Sequence, residues 1–268
     1  MILFPNAKIN IGLRILRKRE DGFHDIESVM FPVPVYDILE LLPSDEFIFK
    51  QTGLQVDSAP GTNLCEKAFH LMKEKHGIPN VYMHLRKQIP MGAGLGGGSS
   101  DAAFVLKGLN DLFELNLETE LLESYAAKLG SDCAFFVKNC PQIATGRGEV
   151  LTPFNLTLKG KFFVLLNPGI HVGTKEAYSG VVPQLPENFL EILLNAPIKN
   201  WKDTVVNDFE TSVFHQFPAI GELKEKLYQL GAIYAAMSGS GSSVFGIFEK
   251  SVILPKELEE FSLYCGEL

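Results

Sequence analysis

The feature that most constrains this chain is a run of glycines that stops abruptly at a helix. Gly92, Gly94, Gly96, Gly97 and Gly98 fall within seven residues, directly before Ser99-Ser100 and an apolar-periodic stretch that predicts a helix from about Ser99 to Phe113. Five glycines leave the backbone free to take positive φ and to present successive N–H groups. A helix N-terminus adds unpaired donors and a partial positive charge, so the loop is suited to cradling phosphate. A Walker A loop is excluded, because it needs Lys after the glycines and Ser99 stands there. Gly92-x-Gly94-x-x-Gly97 formally matches the dinucleotide fingerprint. However, Pro90 sits in the would-be preceding strand and no strand ending in an acid follows, which excludes a doubly wound dinucleotide fold.

Strands and helices alternate along the rest of the chain without the regular rhythm of a parallel βαβ sheet, which predicts an α+β protein. Ala7, Ile9, Ile11, Leu13 and Ile15 alternate strictly with Lys8, Asn10, Gly12 and Arg14, predicting a strand with one buried face. Asp21-Gly22 is a turn signal, and His24 to Val33 reads as the returning strand. Asn63-x-x-Glu66 caps a predicted helix to about Lys75, with Leu64, Ala68, Leu71 and Met72 as its apolar stripe. Val81 to Leu85 reads as a short strand before the glycine loop. Beyond the loop's own helix, a second runs from about Leu117 to Leu129 and is closed by Gly130 in the C-terminal glycine position. In the second half, Lys161 to Leu166, Ala232 to Met237 and Val244 to Phe248 read as strands. Helical stretches lie around Glu187 to Leu194 and Ala219 to Leu230, and Ser238-Gly-Ser-Gly-Ser-Ser243 joins the last two strands. A boundary near residues 150 to 160 divides the chain into domains 1–155 and 156–268.

With 24 Lys and Arg against 32 Asp and Glu, the formal charge of −8 argues against a nucleic-acid-coating or membrane-surface protein. No apolar run approaches the length of a membrane-spanning helix. The N-terminus MILFPNAKIN lacks the charged and apolar regions of a secretory signal, so a cytoplasmic location is expected. Cys65, Cys133, Cys140 and Cys265 show neither CxxC pairing nor a His at zinc spacing, which fits reduced thiols.

The loop Pro90-Met-Gly-Ala-Gly-Leu-Gly-Gly-Gly-Ser-Ser-Asp-Ala-Ala103 resembles the phosphate loop of the GHMP kinases (galactose, homoserine, mevalonate and phosphomevalonate kinases). The triple glycine and the Ser-Ser-Asp-Ala-Ala ending are similar to the branch that phosphorylates cytidine-diphosphate methylerythritol in non-mevalonate isoprenoid precursor synthesis. Four further segments resemble that branch in its own order. They are Ala7-Lys-Ile-Asn10, Asp21-Gly-Phe-His24, Leu129-Gly-Ser-Asp-Cys-Ala-Phe-Phe136 with Gly146-Arg-Gly-Glu149, and Met237-Ser-Gly-Ser-Gly-Ser-Ser-Val-Phe245. The likeness runs from residue 5 to about 248. Phe23 stands where that branch commonly has tyrosine, and Cys133-Ala134 where it often has Val-Pro.

The resemblance implies a two-lobed GHMP kinase fold, with an N-terminal mixed β-sheet with helices and a C-terminal ferredoxin-like α/β sandwich. It implies ATP and Mg2+, a small-molecule substrate, no nucleic acid or membrane partner, and a monomer or weak homodimer. It makes Lys8 and Asp132 the catalytic pair. Lys8 would hydrogen-bond the acceptor hydroxyl and neutralise phosphate charge, and Asp132 would take the hydroxyl proton. From the residues alone, Lys8 and Asn10 read equally as a solvated strand face, and Asp132 as a helix N-cap. The resemblance assigns ATP to Pro90, Met91, Gly92, Ala93, Gly94, Leu95, Gly96, Gly97, Gly98, Ser99 and Ser100, with Asn63 approaching the adenine. It assigns the cytidine substrate to Asn10, Phe23, His24, Thr174, Tyr178 and the loop Ser238, Gly239, Ser240 and Gly241. Metal ligands are unassigned, and Asp101 reads either as an influence on a water-bound metal or as a complement to the helix dipole. Another GHMP kinase, of homoserine or mevalonate type, and a nucleotide-binding module without catalysis are the alternatives.

Overall fold

The computed structural model of the protein describes residues 1–55 and 61–268. The chain folds into two compact units: Met1–Ala7, Val35–Met91 and Gly96–Cys140 form the first, and Lys8–Pro34, Gly92–Leu95 and Pro141–Leu268 the second.

In the first unit, a four-stranded sheet runs in the order Ile2–Leu3, Ile38–Pro43, Val81–Lys87, Ile48–Gly53. The first two pairings are antiparallel and the last is parallel, which makes the sheet mixed. Helices Leu64–His76 and Gly97–Leu112 pack together. Leu64–His76 starts as expected on Asn63, whose side chain accepts from Cys65 N–H at 2.9 Å, and stops at Gly77 in the left-handed conformation, φ 63°. Glu66 accepts instead from Gly61 N–H at 3.1 Å. Gly97–Leu112 buries Ala102, Ala103, Val105, Leu106 and Leu109. It also lies so close to the sheet that a Cβ on Gly108 would come within 2.4 Å of Leu3. The helix begins two residues earlier than the pattern predicts. Only Gly92, Gly94 and Gly96 take positive φ, while Gly97 and Gly98 are already helical. Gly130 ends the helix Thr119–Leu129 in an extended conformation, φ −178° and ψ 156°, not the expected left-handed one.

The second unit holds two four-stranded sheets. One has the order Asn6–Lys18, His24–Tyr36, Gln142–Thr145, Val150–Pro153. Arg19 N–H donates to Phe23 O at 2.8 Å across the Asp21-Gly22 turn. The first of these strands departs from expectation, because both its faces are buried: Lys8 is 4% exposed and Asn10 2%. The cover comes from far along the chain. A Cβ on Gly12 would meet Leu190 at 2.7 Å and Val205 at 3.0 Å, and Leu13 N–H donates to Val206 O at 2.9 Å.

The other sheet is fully antiparallel, in the order Tyr234–Met237, Val244–Phe248, Phe162–Leu166, Ser262–Glu267. Helix Pro218–Gln229 packs on its first two strands, and Lys256–Glu259 precedes its last. This strand order and β-α-β-β-α-β connectivity are the expected ferredoxin-like arrangement. Val164, Leu166, Ile220, Leu223, Leu227, Met237 and Val244 meet in one core with Leu13 and Ile15. Among the described residues, no helix is long and apolar enough to cross a membrane.

Candidate active site

The glycine loop is pinned through its carbonyls. Lys8 N–H donates to Leu95 O at 3.0 Å, Ser243 N–H to Ala93 O at 3.2 Å, and Ser238 Oγ to Gly94 O at 2.8 Å. Gly94 touches the Ser238 loop so closely that a Cβ there would lie 1.9 Å from Ser238 O. At Gly92 a Cβ would meet the His171 ring at 2.8 Å. At Gly92 and Gly94 the loop thus runs where a side chain cannot follow, and these two glycines are steric requirements. Its far end enters helix Gly97–Leu112, where Ser100 N–H donates to Gly96 O at 2.9 Å and Gly98 lies beside Met91. The helix is sixteen residues long, and the N-terminus of any helix carries N–H donors without intrahelical partners.

Lys8 and Asn10 share a strand face and meet: Lys8 Nζ donates to Asn10 Oδ1 at 2.5 Å. Asn10 Nδ2 donates to Ser28 Oγ at 2.8 Å, Ser28 Oγ donates to Gly12 O at 2.7 Å, and Asn10 N–H donates to Ser238 Oγ at 3.1 Å. Ser238 therefore accepts from the first strand and donates to the glycine loop. Asn207 holds this loop from behind, its Nδ2 donating to Met237 O and Gly239 O, both at 2.8 Å. Gly239 and Gly241 take positive φ, 58° and 98°, as the tight return from Met237 to Val244 requires, and Ser240 lies between them. Neither Ser28 nor Asn207 stands out in the sequence. Each is a common polar residue with charged neighbours in sequence, Glu27 beside Ser28 and Asp208 beside Asn207, and only its burial marks it.

Asp132 lies in the turn 131–134 before helix Phe135–Lys138, whose N-cap position is Ala134, so it is not the helix cap that the local pattern predicts. The turn packs on the first turn of Gly97–Leu112: a Cβ on Gly130 would lie 3.2 Å from Cys133 Sγ and 3.9 Å from Ser99 Oγ. Burial pushes the Cys133 thiol up to about 11, against a hydrogen bond with Ser99 that lowers it. Asn63 is occupied as a helix cap by its oxygen, while its amide donates to Gln51 Oε1 at 3.4 Å.

Two of the three aromatic residues expected at the cytidine end come together. His24 and Tyr178 stack with centroids 4.9 Å apart and an interplanar angle of 24°, and Phe209 closes on Tyr178 edge-on at 4.8 Å. Phe23 is exposed and carries the Arg147 guanidinium 5.0 Å above its ring, a contact the sequence does not suggest. Thr174 opens helix Thr174–Ser179 one turn before Tyr178 and is exposed. A cavity of about 710 Å³ in the same unit is lined by residues including Arg14, Val181, Asn188, Thr204, Asp208 and Glu210, and by none of the residues expected from sequence. Among the described residues, no group of three or more His, Cys, Asp or Glu converges to hold a metal ion.

Comparison with known proteins places these features. Residues 63–139 match the GHMP kinases N terminal domain and residues 190–260 the GHMP kinases C terminal domain. A 4-diphosphocytidyl-2-C-methyl-D-erythritol kinase of Parabacteroides distasonis is 49% identical over 98% of this chain and 96% of its own length. One from Bacteroides fragilis is 51% identical over 92% of each chain. A crystal structure of 4-(cytidine 5'-diphospho)-2C-methyl-D-erythritol kinase is 34% identical, covers 92% of this chain and 90% of its own, and superposes with a TM-score of 0.80.

Proposed function

The chain belongs to the 4-diphosphocytidyl-2-C-methyl-D-erythritol kinase family of the GHMP kinases, and we propose that it transfers the γ-phosphoryl group of ATP to the 2-hydroxyl of that cytidine compound. The observation that carries this is identity of 49% over nearly the whole chain, far above what a shared fold alone requires. The backbone of Pro90–Ser100 and the helix behind it receive the ATP phosphates. Stacked His24 and Tyr178, with Phe23, Thr174 and Asn10, take the cytidine compound, and Ser238–Gly241 closes on it. In the transfer, the 2-hydroxyl oxygen forms a bond to the γ-phosphorus. The bond from that phosphorus to the β–γ bridging oxygen breaks, ADP leaves, and the hydroxyl proton passes to the Asp132 carboxylate. Lys8 supplies positive charge to the hydroxyl and the transferring group. Positioning and charge stabilisation dominate such a reaction, so Asp132 need not be a strong base.

Among the described residues no group of carboxylates, histidines or cysteines converges, so no residue is assigned to magnesium, which would enter bound to the nucleotide and offset phosphate charge. The test is ADP release by the purified protein with ATP and, in turn, the cytidine compound, homoserine and mevalonate. Turnover with the cytidine compound alone is expected. Turnover with homoserine or mevalonate and none with the cytidine compound would overturn the assignment.

A further inference from the structure

A buried charge cluster lies beside the glycine loop and takes no part in the transfer. Lys87 ends strand Val81–Lys87 with its side chain 1% exposed, and its ammonium pairs with Asp37 and, at 2.8 Å, with Asp101. Asp37, also fully buried, turns its other oxygen to the backbone just before Pro90, accepting from Gln88 N–H and from Ile89 N–H at 2.9 Å. Asp101 lies just past the first turn of Gly97–Leu112, and its Oδ1 has no partner. Between the two carboxylates, Lys87 Nζ presses on Gly97, where a Cβ would come within 2.8 Å of it. One ammonium thus ties the segment leading into the glycine loop to the helix leading out of it.

Isolated in a core, two carboxylates and one ammonium are costly, and removing one partner leaves the others uncompensated. Charge-assisted hydrogen bonds are shorter and stronger than neutral ones, so an ammonium shared by two carboxylates resists their separation. We propose that Lys87, with Asp37 and Asp101, is the positioning device that sets the span of the phosphate loop, and so governs ATP affinity without touching either substrate. The proposal rests on the reading of Pro90–Ser100 as the ATP cradle. The electrostatics agree. Burial alone would lower the Lys87 pKa, yet the two carboxylates raise it overall, so the ammonium keeps its charge. Asp101 is pushed up to about 7, by burial first and by Asp37, against the pull of Lys87.

The test combines Lys87→Met with Asp101→Asn, which leaves Asp37 as the remaining charge, still held by the Gln88 and Ile89 N–H groups. The KM for ATP should rise about tenfold or more, the scale of a small misplacement in a positioning element. The KM for the cytidine compound should stay at its wild-type value. Asp101→Asn alone should restore ATP affinity, because its amide oxygen still accepts from Lys87. If the double variant does not fold, Asp101→Ala, which removes one arm only, is read in the same way. A folded variant with wild-type KM for ATP, or one in which both KM values rise together, overturns the proposal. Gly96→Val, measured alongside by calorimetric ATP binding, separates the two claims. If it too leaves ATP binding intact, the cradle reading has failed. If it alone abolishes binding, only the positioning role has.

Discussion

Gly94→Ala is the smallest change that tests how the glycine loop is held. The added Cβ would sit 1.9 Å from Ser238 O and 2.8 Å from Ser238 C, where ordinary contact begins at 3.4 Å. One segment must therefore retreat by about 1.5 Å, because close-packed interiors do not absorb such overlap. Neither segment is free to do so. Ser238 Oγ donates to Gly94 O at 2.8 Å and accepts from Asn10 N–H at 3.1 Å, and Ser243 N–H donates to Ala93 O at 3.2 Å. The left-handed φ of 76° adds a penalty of about 1–2 kcal/mol once a Cβ is present. The overlap itself costs about 1–3 kcal/mol more, so at about 2–4 °C per kcal/mol for a chain of this size Tm should fall by roughly 4–20 °C. A displacement of this size in a positioning loop costs about 10²-fold, so kcat/KM should fall by that factor while the protein stays folded at 25 °C. Coupled ADP release and a thermal melt read both quantities. A folded Gly94→Ala protein with wild-type kcat/KM and Tm would refute the close approach of Gly94 to Ser238.

Asp132→Asn should keep Tm and ATP binding and lower turnover about 10²-fold or more; wild-type turnover at saturating substrates would remove Asp132 from the mechanism. Tyr178→Ala should raise the KM for the cytidine compound about 5- to 150-fold, the worth of one stacked base, with ATP affinity unchanged. His24→Ala should act in the same direction, and loss of ATP affinity in both would retire the cytidine assignment while sparing the kinase. Iodoacetamide at pH 8 followed by peptide mass mapping should modify exposed Cys265 first, although partial burial raises that thiol too. Burial holds the thiols of Cys133 (up to about 11) and Cys65 above the working pH and so protonated; labelling of Cys133 as fast as Cys265 would mean that the Asp132 turn opens.

Local patterns identified the pieces of this protein better than the surfaces that bury them. The alternation of Ala7 to Ile15 marks a strand, but nothing near it says that Lys8, Asn10 and Gly12 are covered, because the covering residues Leu190, Val205 and Ser238 lie far along the chain. The glycine run marks a phosphate loop, yet which glycines turn left-handed depends on contacts with Ser238 and His171. Asp132 reads locally as a cap and owes its candidate role to the family resemblance. Asp37 and Lys87 are invisible to pattern reading and Asp101 suggests only a metal or dipole role, since isolated charges at long spacings suggest solvent and only three-dimensional pairing justifies their burial. Gly130 shows the converse: the expected type of residue at a helix end, in a conformation that does not need glycine.

The strand order of the antiparallel sheet has a consequence in time. Phe162–Leu166 occupies an interior position, paired on one side with Val244–Phe248, where Leu165 faces Phe245, and on the other with Ser262–Glu267. The nearer partner is encoded 80 residues downstream, as the numbering of Leu165 and Phe245 gives. At translation rates of about 5–20 residues per second, a nascent chain waits roughly 4–16 s with Phe162-Phe-Val-Leu-Leu166 made and unpaired. That pentapeptide is apolar, rich in strand-forming residues and free of charge or proline, the composition that self-associates when left exposed. Slower synthesis lengthens that wait, and lower temperature weakens the apolar attraction between such exposed strands.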